Sequence, residues 1–407
     1  MNEFRKLGIS QPILRVIEEE MFEKPSEIQE KSIPLVLSGK NVIAGSATGS
    51  GKTLAFGSGI IQNCERGKGL QALVLTPTRE LAQQESGALK KFSKYQDLNI
   101  IPVYGGVAIN PQIDKLRTAD VVVGTPGRIL DHMQRKTMRL SEVKILVLDE
   151  ADRMFDMGFL DDVEKIIHAC PREKQMLLFS ATITHDVDRL WKRYMRDAVK
   201  VSAEAYVDPT KMTQVYYNVA DNLKFSLFVH LLKGEHSGLV MVFCNTRRNV
   251  DFVVNNVNMN GLEAIAIHGG FSQDKRSKVI EQFHSKDVHV LVCTDVAARG
   301  LDIKGVSHIY NYDLPNDAKE YIHRIGRTAR AGEEGKIINL LCHKDWDNFT
   351  RILRSNPELD IFKEHAPYVK NAKIGWRGKP RNFRRARSNY HRLPYKPTRT
   401  HNKPRRR

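Results

Sequence analysis

The chain has 407 residues, 41% of them hydrophobic, and a formal charge of +17. That length supports two apolar cores more comfortably than one, and no stretch nears the roughly 18 unbroken apolar residues of a membrane span. The five cysteines are scattered without a CxxC pair, which argues against a disulfide frame or a zinc site and fits a reduced, cytoplasmic protein.

The opening MNEFRKLGIS carries charge early and has no apolar signal region. Short apolar runs then alternate with helical patterns up to residue 365. Strands are predicted at 41–45 (NVIAG), 72–77 (ALVLTP), 120–124 (DVVVG), 145–149 (ILVLD) and 176–180 (MLLFS). A second set is predicted at 239–243 (LVMVF), 263–267 (EAIAI), 289–293 (HVLVC), 307–311 (SHIYN) and 337–341 (IINLL). Helix-length segments lie between them, at 79–91, 185–196, 246–259 and 272–284. Wholly apolar strands alternating with helices predict an α/β fold with parallel sheets covered on both faces. The polar stretch AEAYVDPTKMT, with Asp208-Pro209, interrupts the pattern and reads as a connection. The expected organisation is a first domain over 1–203, a linker at 204–213, a second domain over 214–365 and a tail from 366 to 407.

The tail holds almost all of the excess charge. Residues 366–407 contain 15 Lys or Arg and no acid, which leaves 49 basic against 47 acidic groups in the rest. The tail has no apolar periodicity, so disorder is expected. Tyr368, Trp376, Phe383, Tyr390 and Tyr395 are interleaved with the cations. Cations for phosphates and rings for bases favour a nucleic-acid partner over a merely solubilising tail.

Polar motifs follow the strands, the edge where open α/β sheets bind ligands. After NVIAG comes SATGSGKT, Ser46 to Thr53. Such a loop turns backbone N–H groups toward phosphates, with Lys52 reaching the β- and γ-phosphates and Thr53 placed for Mg²⁺. Ser46 stands where the strict pattern wants Gly, so the loop alone is equally a glycine-rich turn. Farther on, KILVLDEADRM ends an apolar strand in Asp149, Glu150 and Asp152. Clustered carboxylates are costly without a cation or a reaction to use them. Paired with the lysine loop they read as a nucleoside triphosphatase, with Asp149 holding Mg²⁺ through water and Glu150 activating the attacking water.

At this point the chain resembles the DEAD-box ATP-dependent RNA helicases of superfamily 2. Asp149-Glu150-Ala151-Asp152 spells their signature, and the motifs run in order through nearly all of 1–365. FEKPSEIQ (22–29), PTRELAQQ (77–84), GG (105–106), TPGR (125–128) and SAT (180–182) resemble the first-domain set. VFCNT (242–246), HGG (268–270), TDVAARGLD (294–302) and HRIGRTAR (323–330) resemble the second. The resemblance implies two tandem RecA-like domains and an RNA-stimulated ATPase that opens short duplexes or remodels RNA–protein complexes. A non-unwinding ATP-gated RNA clamp and a DNA translocase are the alternatives.

The resemblance also implies roles. ATP would be held by Phe4, Phe22, Gln29, Thr48, Gly49, Ser50, Gly51, Lys52, Thr53 and Asp302, with Mg²⁺ at Thr53 and Asp149. Catalysis would rest on Glu150, Lys52 and two arginine fingers, Arg327 and Arg330. The fingers belong to a three-residue spacing with Arg324 that reads as one helical face, or as a solvent-facing basic helix. Asp152, Ser180 and Thr182 would couple hydrolysis to domain closure. RNA phosphates would meet Thr78, Arg79, Gly106, Thr125 and Arg128, then Thr246, Gly269, Arg276 and Thr294; several of these threonines read equally well as helix caps. Asp295 would need a 2′-OH or a partner residue. Such backbone contacts position RNA without reading its sequence. The expected protein is a cytoplasmic monomer with ATP, Mg²⁺ and RNA as partners and no membrane association.

Overall fold

The computed structural model describes residues 2–375 except 46–49, 183, 196, 203–211, 235–237, 299–300, 302, 304 and 330–333. The chain forms two seven-stranded sheets. The first contains β1 (Val42–Gly45), β2 (Ala72–Leu75), β3 (Ile100–Val103), β4 (Val121–Gly124), β5 (Ile145–Leu148), β6 (Gln175–Ser180) and β7 (Val199–Ser202). The second contains β8 (Met212–Asn218), β9 (Leu239–Phe243), β10 (Ala264–Ile267), β11 (Val290–Cys293), β12 (Val306–Asn311), β13 (Gly335–Leu341) and β14 (Ile361–Glu364).

The strand orders are β3-β4-β2-β5-β6-β1-β7 and β10-β11-β9-β12-β13-β8-β14. Adding seven to each strand of the first sheet reproduces the second, so the two units share one topology. Pairings are parallel throughout, as at Leu75 beside both Gly124 and Leu148. Parallel strands need crossovers, and the intervening helices lie over both faces. An apolar cluster therefore fills each side of each sheet.

All ten predicted strands are present, with four more. β7 and β14 are edge strands whose alternating or largely exposed residues lack a continuous apolar run. β3 is an edge strand carrying Pro102, a residue that edges tolerate. β8 begins at Met212, inside the segment expected to be linker.

The chain beyond β14 also differs from expectation. The Ala372 amide donates to Ser226 Oγ at 3.0 Å, and the Lys373 and Gly375 amides donate to Asn260 and Asn256 at 3.1 and 3.0 Å. Val369 and Ala372 pack against the second unit's core. Residues 366–375, assigned to the tail on composition, thus lie fastened along the second unit. The remainder, 376–407, falls outside the described residues. No helix among the described residues is long and apolar enough to cross a membrane.

Candidate functional site

Topology divides the carboxyl edge of the first sheet into two halves. β1, β5 and β6 lead into the lysine loop, the acid cluster and the SAT motif. β2, β3 and β4 lead into Thr78-Arg79, Gly105-Gly106 and Thr125.

In the first half, Thr48 and Gly49 lie outside the described residues, whereas Ser50 to Thr53 are seen. Gly51 has φ +91° and precedes the helix Lys52–Asn63. A β carbon there would strike the Gln29 amide, so both backbone and space demand glycine. Ser26 Oγ donates to the Ser50 carbonyl at 2.7 Å and Gln29 Nε2 to the Gly51 carbonyl at 3.0 Å. Gln29 Oε1 accepts from the Ser26 amide at 3.0 Å. Each end of the Gln29 amide keeps a second hydrogen-bonding position, so it can brace the loop and still meet an adenine edge.

Phe22 is 39% exposed, with its ring 6.3 Å from that of Phe92. It can stack on a base. Phe4, expected to join it, is instead 1% exposed inside the first apolar cluster. Burying an aromatic side chain is worth roughly 1.5–3 kcal/mol, which keeps Phe4 in the core.

Lys52, Asp149, Glu150 and Asp152 are all buried. Lys52 Nζ lies 3.4 Å from Asp149 Oδ1, yet neither atom has a hydrogen-bond partner. Burial would lower the Lys52 pKa, but Asp149, Glu150 and Asp152 outweigh it and raise the value. Burial pushes the Asp149 carboxyl up, with Lys52 opposing. Among the described residues no group of three His, Cys, Asp or Glu is arranged to hold a metal alone. That fits Mg²⁺, which is commonly held by one or two carboxylates completed by substrate phosphates. The Lys52 ammonium beside Asp149, whose Oδ1 has no hydrogen-bond partner, is the matching protein half.

Glu150 occupies a left-handed turn, φ +52°, just before the helix Ala151–Asp156. Its Oε2 accepts from Arg153 Nη1 at 3.0 Å, a pair that sequence reasoning missed. Asp152 Oδ2 accepts from both the amide and the hydroxyl of Thr182, at 2.9 and 2.8 Å. The Asp152 amide donates to Ser180 Oγ, which donates to the Thr182 carbonyl. The expected Asp152–Ser180–Thr182 group is therefore assembled.

The second unit meets this site through its HRIGR segment. His323 feels Arg153 and Asp152 across the cleft; burial first, then Arg153, drops its pKa to about 4. Its Nε2 has no hydrogen-bond partner. Arg327 is buried, with Nη1 donating to the Leu301 carbonyl at 2.6 Å. The helix ends at Ile325, so the three arginines do not share a helical face. Arg324 points inward instead, with 1% exposure, pairing with both oxygens of Asp295 at 2.5 and 2.6 Å. Asp295 thus finds the partner its charge required. Arg330 and Asp302 fall outside the described residues.

The other half of each edge carries the expected RNA set. Thr78 caps the helix Arg79–Phe92, accepting from the Leu81 amide, and Thr246 caps Arg247–Met259, accepting from the Asn249 amide. Each hydroxyl keeps its own hydrogen to donate. Thr125 occupies an N-cap position without a side-chain cap bond. Thr294 is buried at the start of Asp295–Ala298.

The units repeat one further device. The Arg79 guanidinium lies where a Gly106 side chain would be, and that of Arg247 lies 3.0 Å from where a Gly269 β carbon would be. Arg247 was missed, although Thr-Arg follows an apolar strand in both halves. Two expected RNA ligands are committed elsewhere. Arg128 braces Gln112 and the Val107 carbonyl, both at 3.1 Å. Arg276 Nε lies 2.7 Å from Glu80 of the first unit, an ion pair whose N–H is not aligned as a hydrogen bond. Gln273 Nε2 donates to the same Glu80 oxygen at 3.2 Å. Glu80 is the inter-unit contact that the motif reading overlooked.

The DEAD/DEAH box helicase family model matches residues 26–190, and the helicase conserved C-terminal domain matches 223–332. The chain is 43% identical over 359 residues to the DEAD-box ATP-dependent RNA helicase CshA of Geobacillus kaustophilus, covering 87% of this chain and 77% of that one. It is 43% identical over 347 residues to ATP-dependent RNA helicase CshA of Limosilactobacillus reuteri, covering 84% and 70%. The structure superposes on Saccharomyces cerevisiae Dbp5 bound to RNA and ADP BeF3 with TM-score 0.82 and 32% identity, covering 90% of this chain and 96% of that one. Joined to the paired sheets and the acid–lysine site at the edge of the first, these likenesses show that the chain belongs to the DEAD-box ATP-dependent RNA helicases.

Proposed function

We propose that this helicase hydrolyses ATP in a composite pocket to which each unit contributes half, and that RNA lying along both glycine-flanked edges favours the joined arrangement. The buried cluster of Lys52, Asp149, Glu150 and Asp152, whose Asp152 and Glu150 act on His323 of the second unit, is the observation that carries this reading. Phe22 and Gln29 receive the base, and Ser50, Gly51 and Lys52 receive the phosphates. Mg²⁺, held through Thr53 and Asp149, supplies countercharge to the phosphates when bound.

Glu150 accepts the proton of the attacking water. Arg153, donating to Glu150 Oε2 at 3.0 Å, fixes its direction. Arg327, with Arg330, approaches the terminal phosphate from the second unit, a contribution worth about 10³–10⁵ in related phosphoryl-transfer sites. Asp152, Ser180 and Thr182 tie the acid cluster to the next strand, so loss of the phosphate is felt by the unit as a whole.

Thr78, Arg79, Gly106 and Thr125, with Thr246, Arg247, Gly269 and Thr294, hold RNA by its backbone. Each lost base step costs about 1.4 kcal/mol in DNA terms, so binding one bent strand can open a short duplex. Residues 376–407 add sequence-blind affinity through their cations and rings. One chain supplies both halves of the pocket, which supports action as a monomer, in the cytoplasm where ATP and RNA meet. The Glu150→Gln variant tests the core of this reading: ATP and RNA binding should persist while turnover disappears.

A further inference from the structure

One buried carboxylate beside the phosphate loop belongs to no motif used above. Glu85 lies within the helix Arg79–Phe92, 9% exposed, with Oε2 lacking any partner. Burial and then Asp149 push its carboxyl well above the usual carboxylate range, while a hydrogen bond with the Thr53 side chain and the charge of Lys52 oppose them. Burying a carboxyl among carboxylates is costly, and an orphaned buried oxygen calls for a reason.

The helix packing explains how Glu85 reaches the loop. One turn farther along both helices, a β carbon on Gly57 would lie 2.8 Å from Leu89 Cδ2. Glycine at 57 lets the two axes approach, and the same face one turn earlier brings Thr53 to Glu85. The contact is therefore built into the helix crossing.

We propose that Glu85 is a positioning residue for the Mg²⁺–nucleotide site. By accepting the Thr53 hydroxyl hydrogen, it turns the oxygen lone pairs toward the cation. The assignment rests on Thr53 being a Mg²⁺ ligand, as read above. A hydroxyl ligates a cation through oxygen, so its hydrogen must have an acceptor on the opposite side. Lys52 cannot serve, since an ammonium has no acceptor. Partners that orient metal ligands in this way typically change metal affinity 10–100-fold when removed.

The test uses the full chain and a fluorescent ADP analogue, titrated first without divalent cation and then with MgCl₂. Relative to wild type, E85L should raise the Mg²⁺ midpoint about 10–100-fold and leave metal-free affinity for the analogue within about twofold. E85Q should stay near wild type, because its amide oxygen still accepts from Thr53. In a T53V background E85L should add nothing.

An unchanged midpoint in E85L would overturn the proposal. So would an equal shift in E85Q, which would signal charge alone, or a full E85L effect on top of T53V. Should E85L not fold, E85M carries the same comparison. Wild-type protein that bound the analogue without any Mg²⁺ dependence would overturn the Thr53 reading and this proposal together; a normal wild-type response with an unmoved E85L overturns only the latter.

Discussion

Glu80→Gln is the most direct probe of how the two units hold one another. Glu80 is 6% exposed and the Arg276 side chain 12%, with the charged atoms 2.7 Å apart and Gln273 bonded to the same oxygen. The gross attraction at this range is about 6 kcal/mol at an effective dielectric of 20, and desolvation offsets part of it. Removing one partner is nonetheless severe, because the other charge stays buried; such truncations cost roughly 3–5 kcal/mol. The lower end applies here, since the N–H is not aligned and the pair keeps some solvent. The cost falls only on the joined arrangement, because separation returns Arg276 to water. About 3 kcal/mol lowers the joined population roughly 100-fold, at 1.4 kcal/mol per decade. ATPase titrated with single-stranded RNA should show that loss at subsaturating RNA, while nucleotide affinity without RNA stays unchanged. The swap E80R/R276E should recover at least part of it. Turnover by E80Q within twofold of wild type at every RNA concentration would refute the latch.

Three further outcomes follow from the same site. Glu150→Gln should abolish phosphate release yet retain ATP-dependent RNA retention in filter binding; normal turnover would remove Glu150 from the base role. His323 has a folded pKa of about 4 against an ordinary 6.5, so the separated form takes up a proton across that window and the joined form does not. Its contribution to the joined arrangement is complete above about 6.5 and fades toward about 4. RNA-stimulated turnover should show this acid limb, and H323N should flatten it; an identical profile would exclude His323 as its source. Deleting 376–407 removes 13 of the tail cations but leaves the fastened 366–375 stretch in place. If half engage single strands, the log–log salt slope of RNA binding should fall by about 5, and an unchanged slope would show that the tail makes no phosphate contact.

Much of the fold was legible because buried parallel strands leave continuous apolar runs, and ten of them stand out. The four strands that escaped lie at edges or beside the polar connection, where alternation or charge masks the signal. Motif residues were legible as a set, but not the destiny of each side chain. Phe4 and Phe22 are both aromatics near the Gln29 motif, yet one is core and the other half-exposed. Arg324 and Arg327 stand three positions apart, yet one neutralises Asp295 within its own unit and the other lies near the cleft.

The amino-acid order alone determined the chemistry on offer: a lysine loop, a carboxylate cluster at a strand end, threonines before helices, and a one-signed tail. Local periodicity and residue type carry that information. Only the tertiary structure decided which groups meet. The shared strand order separates the phosphate-loop half of the edge from the glycine-flanked half, and helix crossing brings Glu85 to Thr53. Docking of the two units pairs Glu80 with Arg276 and sets His323 beside Arg153. These contacts join residues far apart in the chain, and their worth depends on exclusion of water, which no local stretch of sequence can specify.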